Sequence, residues 1–177
     1  MSRQYLNDRW CVRCTRRGPT PYLRDNVRVF TEHGGKKRDM HVLDVGCGNC
    51  RNTTFMRKQG YRNILSLDMA PPAKCIKCTL GQDPLPAADA NVDIILCNYV
   101  LMFLNRKERT FLLDEIMRVA GSGCYLMVEL YPAVDSDMRT DKECLMYQHM
   151  LFNTLVNRGW TKLRYSKMRF IMRREDR

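Results

Sequence analysis

Two aspartates and two glycines in the first half of the chain have the types and spacing to hold a nucleoside. Asp44, Gly46 and Gly48 fall in the stretch His41-Val-Leu-Asp-Val-Gly-Cys-Gly-Asn-Cys-Arg-Asn52, and Asp68 closes Ile64-Leu-Ser-Leu-Asp68, twenty residues past Gly48. Glycines without a Cβ let the backbone turn sharply and let a ligand approach main-chain N–H groups. A helix opening near Asn49 to Arg51 aims its unpaired N–H groups and the positive end of its dipole at the same point. An acid at the end of a second strand can bond both hydroxyls of a ribose. Positioning these residues requires a buried strand, a glycine turn, a helix and a second buried strand, the opening unit of an α/β nucleoside-binding sheet.

The kind of nucleoside follows from what is missing. A dinucleotide fingerprint wants a third glycine where Arg51 stands, and Asp44, inside the strand before the turn, would repel a pyrophosphate. An acid there suits a ligand carrying an ammonium group. The Asp44-x-Gly46-x-Gly48 pattern resembles the first motif of the class I S-adenosylmethionine (SAM) methyltransferases. The pieces G-C-G-N-C-R-N at 46–52, N-Y-V-L-M-F-L at 98–104 and G-W-x-x-x-x-Y at 159–165 are similar to the tellurite-resistance methyltransferases and their relatives, with the resemblance densest over residues 41–130.

That resemblance implies a Rossmann-like fold: a seven-stranded, mostly parallel sheet with a terminal antiparallel hairpin and helices on both faces. It implies SAM as the cofactor, with the glycine loop facing its methionine part and Asp68 holding its ribose. Asp44, Gly46, Gly48 and Asp68 lead the cofactor-binding set, followed by Asn49, Asn52 and Met69, with Cys47 contributing main chain. The adenine contact falls to the backbone at Leu80 or to Asp83, which reads equally as a turn residue before Pro84. Asn98, which also belongs to the implied cofactor-binding set, and Tyr99 follow the fourth strand, where an acceptor meets the methyl group. Related enzymes that methylate DNA base amines carry Asn/Asp-Pro-Pro-aromatic there. Asn98-Tyr99-Val100-Leu101 has the amide and the aromatic ring but neither proline. Tyr99 can stack on a flat acceptor or simply pack. No general base stands out, which a sulfonium donor tolerates if the scaffold holds the acceptor in line.

The pattern of apolar and breaker residues supplies the supporting elements. Thr20-Pro21 opens a helix with Leu23, Val27 and Phe30 on one face, ended by Gly34-Gly35. Strand one is expected at 41–45, its helix at 51–59 and strand two at 63–67. A short link with Pro71 and Pro72 leaves little room for a helix before strand three at 74–79. Strand four is Val92–Cys97. Asn105 and Glu108 form a capping box for a helix with Phe111, Leu112, Ile116 and Val119 inward. Gly121-Ser-Gly123 is expected to end that helix before strand five at Cys124–Leu130. A helix over 141–157 places Leu145, His149, Phe152 and Val156 on one side, His149 as a core residue, and Trp160–Tyr165 with Met168–Met172 make a terminal hairpin. One domain results: a basic N-terminal segment and first helix over 1–40, and the core sheet over 41–177.

Bulk properties narrow the partners. Hydrophobic content of 45% and a mean hydropathy of −0.43 describe a globular chain with no apolar run long enough for a membrane span. A start of Met1-Ser-Arg-Gln is not a secretory signal, and nine cysteines in apolar or cofactor-facing contexts suit a reduced, cytoplasmic protein. The net charge of +11 is concentrated at the ends: residues 1–40 carry ten Lys/Arg against four acids, and residues 158–177 carry eight against two. Such ends are a footprint for a polyanion such as nucleic acid, or merely solvated faces. Cys11/Cys14 and Cys75/Cys78 are zinc-like C-x-x-C pairs, but Cys75 and Cys78 fall in an expected strand, where residues three apart face opposite sides. No metal is expected. The functional expectation is methyl transfer from SAM to an acceptor, possibly nucleic acid. A small molecule with a soft or amine nucleophile is the alternative acceptor, and a SAM-fold binding protein without turnover is the alternative class.

Overall fold

The structure is a computed structural model and describes residues 18–70, 72, 75–130, 141–166 and 168–175, with 141–148 described in backbone only. Cys11, Cys14 and the N-terminal arginines through Arg17 lie outside the described residues.

Seven strands form a sheet in the order β3-β2-β1-β4-β5-β7-β6. They are β1 (His41–Val45), β2 (Asn63–Asp68), β3 (Ile76–Lys77), β4 (Val92–Asn98), β5 (Ala120–Glu129), β6 (Trp160–Ser166) and β7 (Arg169–Arg174). The first five are parallel to their neighbours, while β7 runs antiparallel between β5 and β6. The order reverses between β1 and β4, and a crevice opens outside the carboxyl ends of strands at such a point.

Alternate residues of the central strands feed two cores, as expected for strands covered on both faces. Leu43, Val45, Ile95, Cys97, Leu126, Val128, Phe170 and Met172 enter one, with Leu112 and Ile116 of α3 (Arg106–Val119) and Leu151 and Leu155 of α4 (Asp141–Asn157). Val42, Ile94, Leu96, Tyr125, Met127 and Ile171 enter the other, with Met56 of α2 (Arg51–Lys58) and the N-terminal Tyr22, Leu23, Val27 and Phe30. The N-terminal segment is α1 (Pro21–Asn26) continuing as a 3-10 turn over Val27–Thr31. Its cap is the predicted one: the buried Thr20 hydroxyl accepts from the Leu23 amide at 3.3 Å, and Pro21 follows. Asn105 and Glu108 close the predicted capping box on α3.

Several expectations need correction. Strand three shrinks to Ile76–Lys77, so the trimming near this edge goes further than the sequence suggests. Gly121–Gly123 do not form a loop after α3. Strand β5 begins at Ala120, directly opposite Val92, and absorbs them through a register shift against β4. Phe111 is 38% exposed, because the core stripe of α3 runs through Leu112, Ile116 and Val119. On α4 the inward residues are Leu151 and Leu155 with Phe152 at their edge. His149 is exposed and Val156 is 44% exposed, so the expected face is rotated.

Candidate active site at the β1/β4 switch point

The carboxyl ends of β1, β2 and β4 bring Gly46, Asp68 and Asn98 to one edge of the sheet. Gly46 and Gly48 both adopt left-handed backbone, with φ of +70° and +53°. A Cβ at Gly46 would stand 2.3 Å from Val100 Cγ2, so the glycine is required both by its φ and by close packing of the loop on the segment after β4. Leu80, 8% exposed, completes that contact: its Cδ1 would lie 3.5 Å from the same Cβ, which places its side chain against the loop.

Asp68 ties the loop to β2. Its carboxylate accepts the Gly48 amide at 2.9 Å through Oδ2 and the Ala70 amide at 3.0 Å through Oδ1. The expected ribose acid is thus already held by main chain and orients the glycine turn. Cys47 is buried, and its amide donates to the Leu67 carbonyl at 2.8 Å. Asn49 is exposed, and its Oδ1 accepts the Arg51 amide at 3.3 Å, a turn contact at the helix entry. Met69 is half-buried just past β2.

Asp44 has a role that spacing alone did not reveal. It is 2% exposed, and its Oδ2 accepts from both the amide and the hydroxyl of Thr53, at 3.1 and 2.6 Å. The residue opening α2, Cys50, caps nothing with its side chain, so Asp44 supplies a remote cap for the third amide of that helix. One of its oxygens is therefore committed to the helix and not to a ligand ammonium. Burial still outweighs these bonds and pushes the carboxyl up to about 6. Asn52 is similarly engaged: its Oδ1 accepts the Thr20 amide at 3.0 Å and moors α1 to α2, leaving its NH2 for any cofactor contact. Asp83 is exposed and closes a turn by accepting the Thr79 amide at 2.6 Å, the second of its two expected roles. The loop it belongs to is stapled to α3, where Arg118 donates to the carbonyls of Leu85 and Ala87 at 2.8 and 2.9 Å and Glu115 accepts the Leu85 amide.

Beyond β4 the chain forms a polar cluster. Asn98 is 7% exposed, and neither its Oδ1 nor its Nδ2 has a hydrogen-bonding partner among the described residues. Tyr99 adopts φ +61°, a strained value for a side chain of that size. It is held by its amide donating to the Glu129 carbonyl at 2.7 Å and its hydroxyl donating to Glu129 Oε2 at 3.1 Å. Burial, reinforced by Glu129, pushes the Tyr99 phenol up to about 12, so it remains a neutral donor. Glu129 is fully buried. Desolvation raises its carboxyl, opposed by hydrogen bonding from Thr20 and Tyr99 and by Arg169, whose Nε lies 3.8 Å away. Sequence reasoning found Asn98 and Tyr99 and missed Glu129 and Arg169. The signal available was an acid ending an otherwise apolar strand.

A fold with this strand order, a glycine cradle after β1, an acid ending β2 and an amide ending β4 defines the Rossmann-like methyltransferase class. Comparison with known proteins carries this to a family: the one described as "Hypothetical methyltransferase" matches residues 19–161, and the chain belongs to it. A curated relative is the 25S rRNA (adenine(645)-N(1))-methyltransferase of Schizosaccharomyces pombe. It is 26% identical over 108 residues, covering 58% of this chain and 33% of the relative, so the chain spans about a third of that protein's length. Among solved structures, the Burkholderia thailandensis 1,6-didemethyltoxoflavin-N1-methyltransferase, with bound 1,6-didemethyltoxoflavin and S-adenosylhomocysteine, aligns with a TM-score of 0.64 at 16% identity. That alignment covers 88% of this chain and 79% of the other. A SAM-dependent methyltransferase from Aquifex aeolicus aligns with a TM-score of 0.62 at 19% identity, over 88% and 92% of the two chains.

Proposed function

We propose that the chain transfers a methyl group from SAM to a ring or exocyclic nitrogen of a heterocyclic base, with RNA as the acceptor. The single observation that carries the acceptor class is Asn98. A buried primary amide with neither polar atom partnered among the described residues is costly unless something completes it. Its carbonyl and NH2 together match an edge that offers one donor and one acceptor, as the adenine amine and ring nitrogen do. The strained Tyr99 fixes the neighbouring backbone, and Glu129 fixes Tyr99, so the amide is presented from a rigid base.

The residues fit the cofactor on two counts. The glycine turn leaves main-chain carbonyls for the cofactor, its Cys47 and Gly48 amides being spent on Leu67 and Asp68, and Asp68 keeps carboxylate lone pairs beyond the two amides it accepts, enough for ribose hydroxyls. Leu80 contributes an apolar wall beside the glycine loop. SAM supplies an activated methyl on a sulfonium, which needs no added electrophilic catalyst. What the protein adds is alignment: Asp68 and the 46–48 turn hold the nucleoside, and Asn98 orients the nitrogen nucleophile.

RNA is favoured by two observations: the curated relative is named for an rRNA adenine, and the positive charge is concentrated at the ends of the chain. Arg164 of β6 reaches Glu32 at 3.1 Å, and Leu163 and Ile171 share a core with α1. Part of the C-terminal charge is already used inside the fold. Arg158 pairs with Asp114 at 2.6 Å, and Arg174 donates to the carbonyls of Met117 and Ala120. The N-terminal basic residues therefore carry most of the polyanion footprint in this reading. A free small heterocycle is the second reading, favoured by the Burkholderia enzyme's bound substrate. The finer affinity to tellurite-resistance enzymes, which would make the acceptor a soft nucleophile, rests on the 46–52, 98–104 and 159–165 pieces alone. No helix among the described residues is long and apolar enough to cross a membrane, and a cytoplasmic location is part of the same proposal. The test is transfer of label from SAM to RNA, DNA and a panel of free heterocycles by wild type and Asn98→Ala. Transfer to RNA that collapses in the variant supports the reading; transfer only to free heterocycles selects the second.

A further inference from the structure

The structure brings three cysteines together beside the glycine loop in a grouping that neither of the expected zinc pairs contains. The Sγ atoms of Cys47, Cys50 and Cys75 all lie within 4.8 Å of one another, with Cys47 and Cys50 at 3.6 Å. Cys47-Gly-Asn-Cys50 is itself a C-x-x-C turn, closed by the Cys50 amide donating to the Cys47 carbonyl at 2.9 Å. Cys50 opens α2 with left-handed backbone, φ +59°.

Main-chain register places the third thiol. Cys47 is anchored by its amide to the Leu67 carbonyl, and Leu67 is also the residue that pairs with Ile76 in the β2/β3 ladder. Cys75, immediately before Ile76, is therefore fixed against the same point of β2 and is turned in by its amide bond to the Pro72 carbonyl at 2.9 Å. Cys78, the other half of the Cys75 C-x-x-C, goes instead into the apolar core at 3% exposure. The expected divergence of Cys75 and Cys78 holds, and it is what frees Cys75 to meet the loop cysteines.

We propose that Cys47, Cys50 and Cys75 form a trithiolate site for a thiophilic d10 cation, with Zn(II) the leading ion, that staples the glycine loop to the segment entering β3. Three sulfurs at zinc–thiolate bond lengths of about 2.3 Å stand about 3.8 Å apart, so separations within 4.8 Å close on an ion with changes of about 1 Å or less. A disulfide would use two thiols and leave the third without a role. Soft thiolate sets select zinc and copper(I) over magnesium or calcium. Among the described residues no histidine or carboxylate joins the set, so the fourth position of a tetrahedral ion is left to an outside ligand.

Cysteines bind such a cation as thiolates, so binding releases protons and affinity rises with pH. The consequence is mechanical: a cation here holds two sides of the cofactor cradle in one arrangement.

The test uses the full reduced chain, stripped of metal, titrated with Co(II) and then competed with Zn(II). The expected result is one saturating thiolate-to-cobalt charge-transfer band, bleached by an equivalent of Zn(II) and accompanied by proton uptake or release in weakly buffered solution in the direction of release. Cys75→Ser should abolish stoichiometric binding while retaining the wild-type circular dichroism spectrum, and Cys78→Ala should retain the band. Persistence of the band in Cys75→Ser overturns the site. So does its absence from the reduced wild type, whether or not peptide mapping then finds a Cys47–Cys50 disulfide.

Discussion

Asp44 shows how a single residue can serve the site at a cost in stability. Its carboxyl is raised from about 3.9 in an unfolded chain to about 6 in the fold, chiefly by burial. Between those values the native state holds a proton that the unfolded state has lost, so this group's contribution to stability falls as pH rises from about 4 through about 6 and is flat above. The full difference is about 3 kcal/mol. Asn at this position can still accept from Thr53 and carries no charge to bury. Urea unfolding of Asp44→Asn and wild type is therefore predicted to diverge with rising pH, the variant being the more stable at pH 7 and the two converging near pH 4. Parallel curves across that range would contradict the assignment. Asp68 acts through its lone pairs, accepting the Gly48 and Ala70 amides, and is the acid proposed to hold the ribose. Asp68→Ala should weaken SAM by roughly 2–3 kcal/mol in calorimetry, the loss of charge-assisted bonds. An unchanged Kd would move the ribose elsewhere.

At the scale of elements, what was legible in the chain is what local pattern decides. The apolar runs of β1, β2 and β4, the Thr20 cap and the Asn105–Glu108 capping box each depend on residues within a few positions, and each stands in the structure. What escaped depends on residues far apart in sequence. Asp44 is spent on Thr53 and Asn52 on Thr20, because helices α2 and α1 dock over β1. Gly121–Gly123 read as a stop, but pairing of Ala120 with Val92 keeps them in strand. The inward face of α4 is set by tertiary packing, with Leu151 and Leu155 in the core and the Phe152 ring 5.9 Å from that of Phe170. Gly46, Gly48 and Asp68, which the fold brings to one edge of the sheet, stood out because a glycine loop and a strand-end acid are local signals. Glu129 and the cysteine trio were not, because they are assembled by sheet order. Two tests belong here. Asn105→Ala should cost about 1 kcal/mol in chemical denaturation by removing the α3 cap, with SAM affinity intact. Gly46→Ala should lose SAM binding in calorimetry while remaining folded by circular dichroism, since a Cβ there meets Val100 at 2.3 Å and φ is left-handed.

At the scale of the molecule, Arg164 reaching Glu32 and the core shared by α1 and β7 bring the first helical segment and the terminal hairpin together. If RNA is the acceptor, as proposed, its affinity should fall steeply with salt, because the positive charge is concentrated at the chain ends and condensed counterions are released. Charge reversal at Arg13, Arg16 and Arg17 should weaken RNA in gel shifts without altering SAM affinity. Reversal at Arg158, already paired with Asp114, should have little effect on RNA. Purified protein, labelled SAM and structured RNA should give labelled RNA whose digested nucleosides carry the methyl on a base nitrogen, with Asn98→Ala losing transfer but keeping SAM. Tight SAM binding with no label entering RNA, DNA or any free heterocycle would contradict it and leave a cofactor-binding protein without turnover.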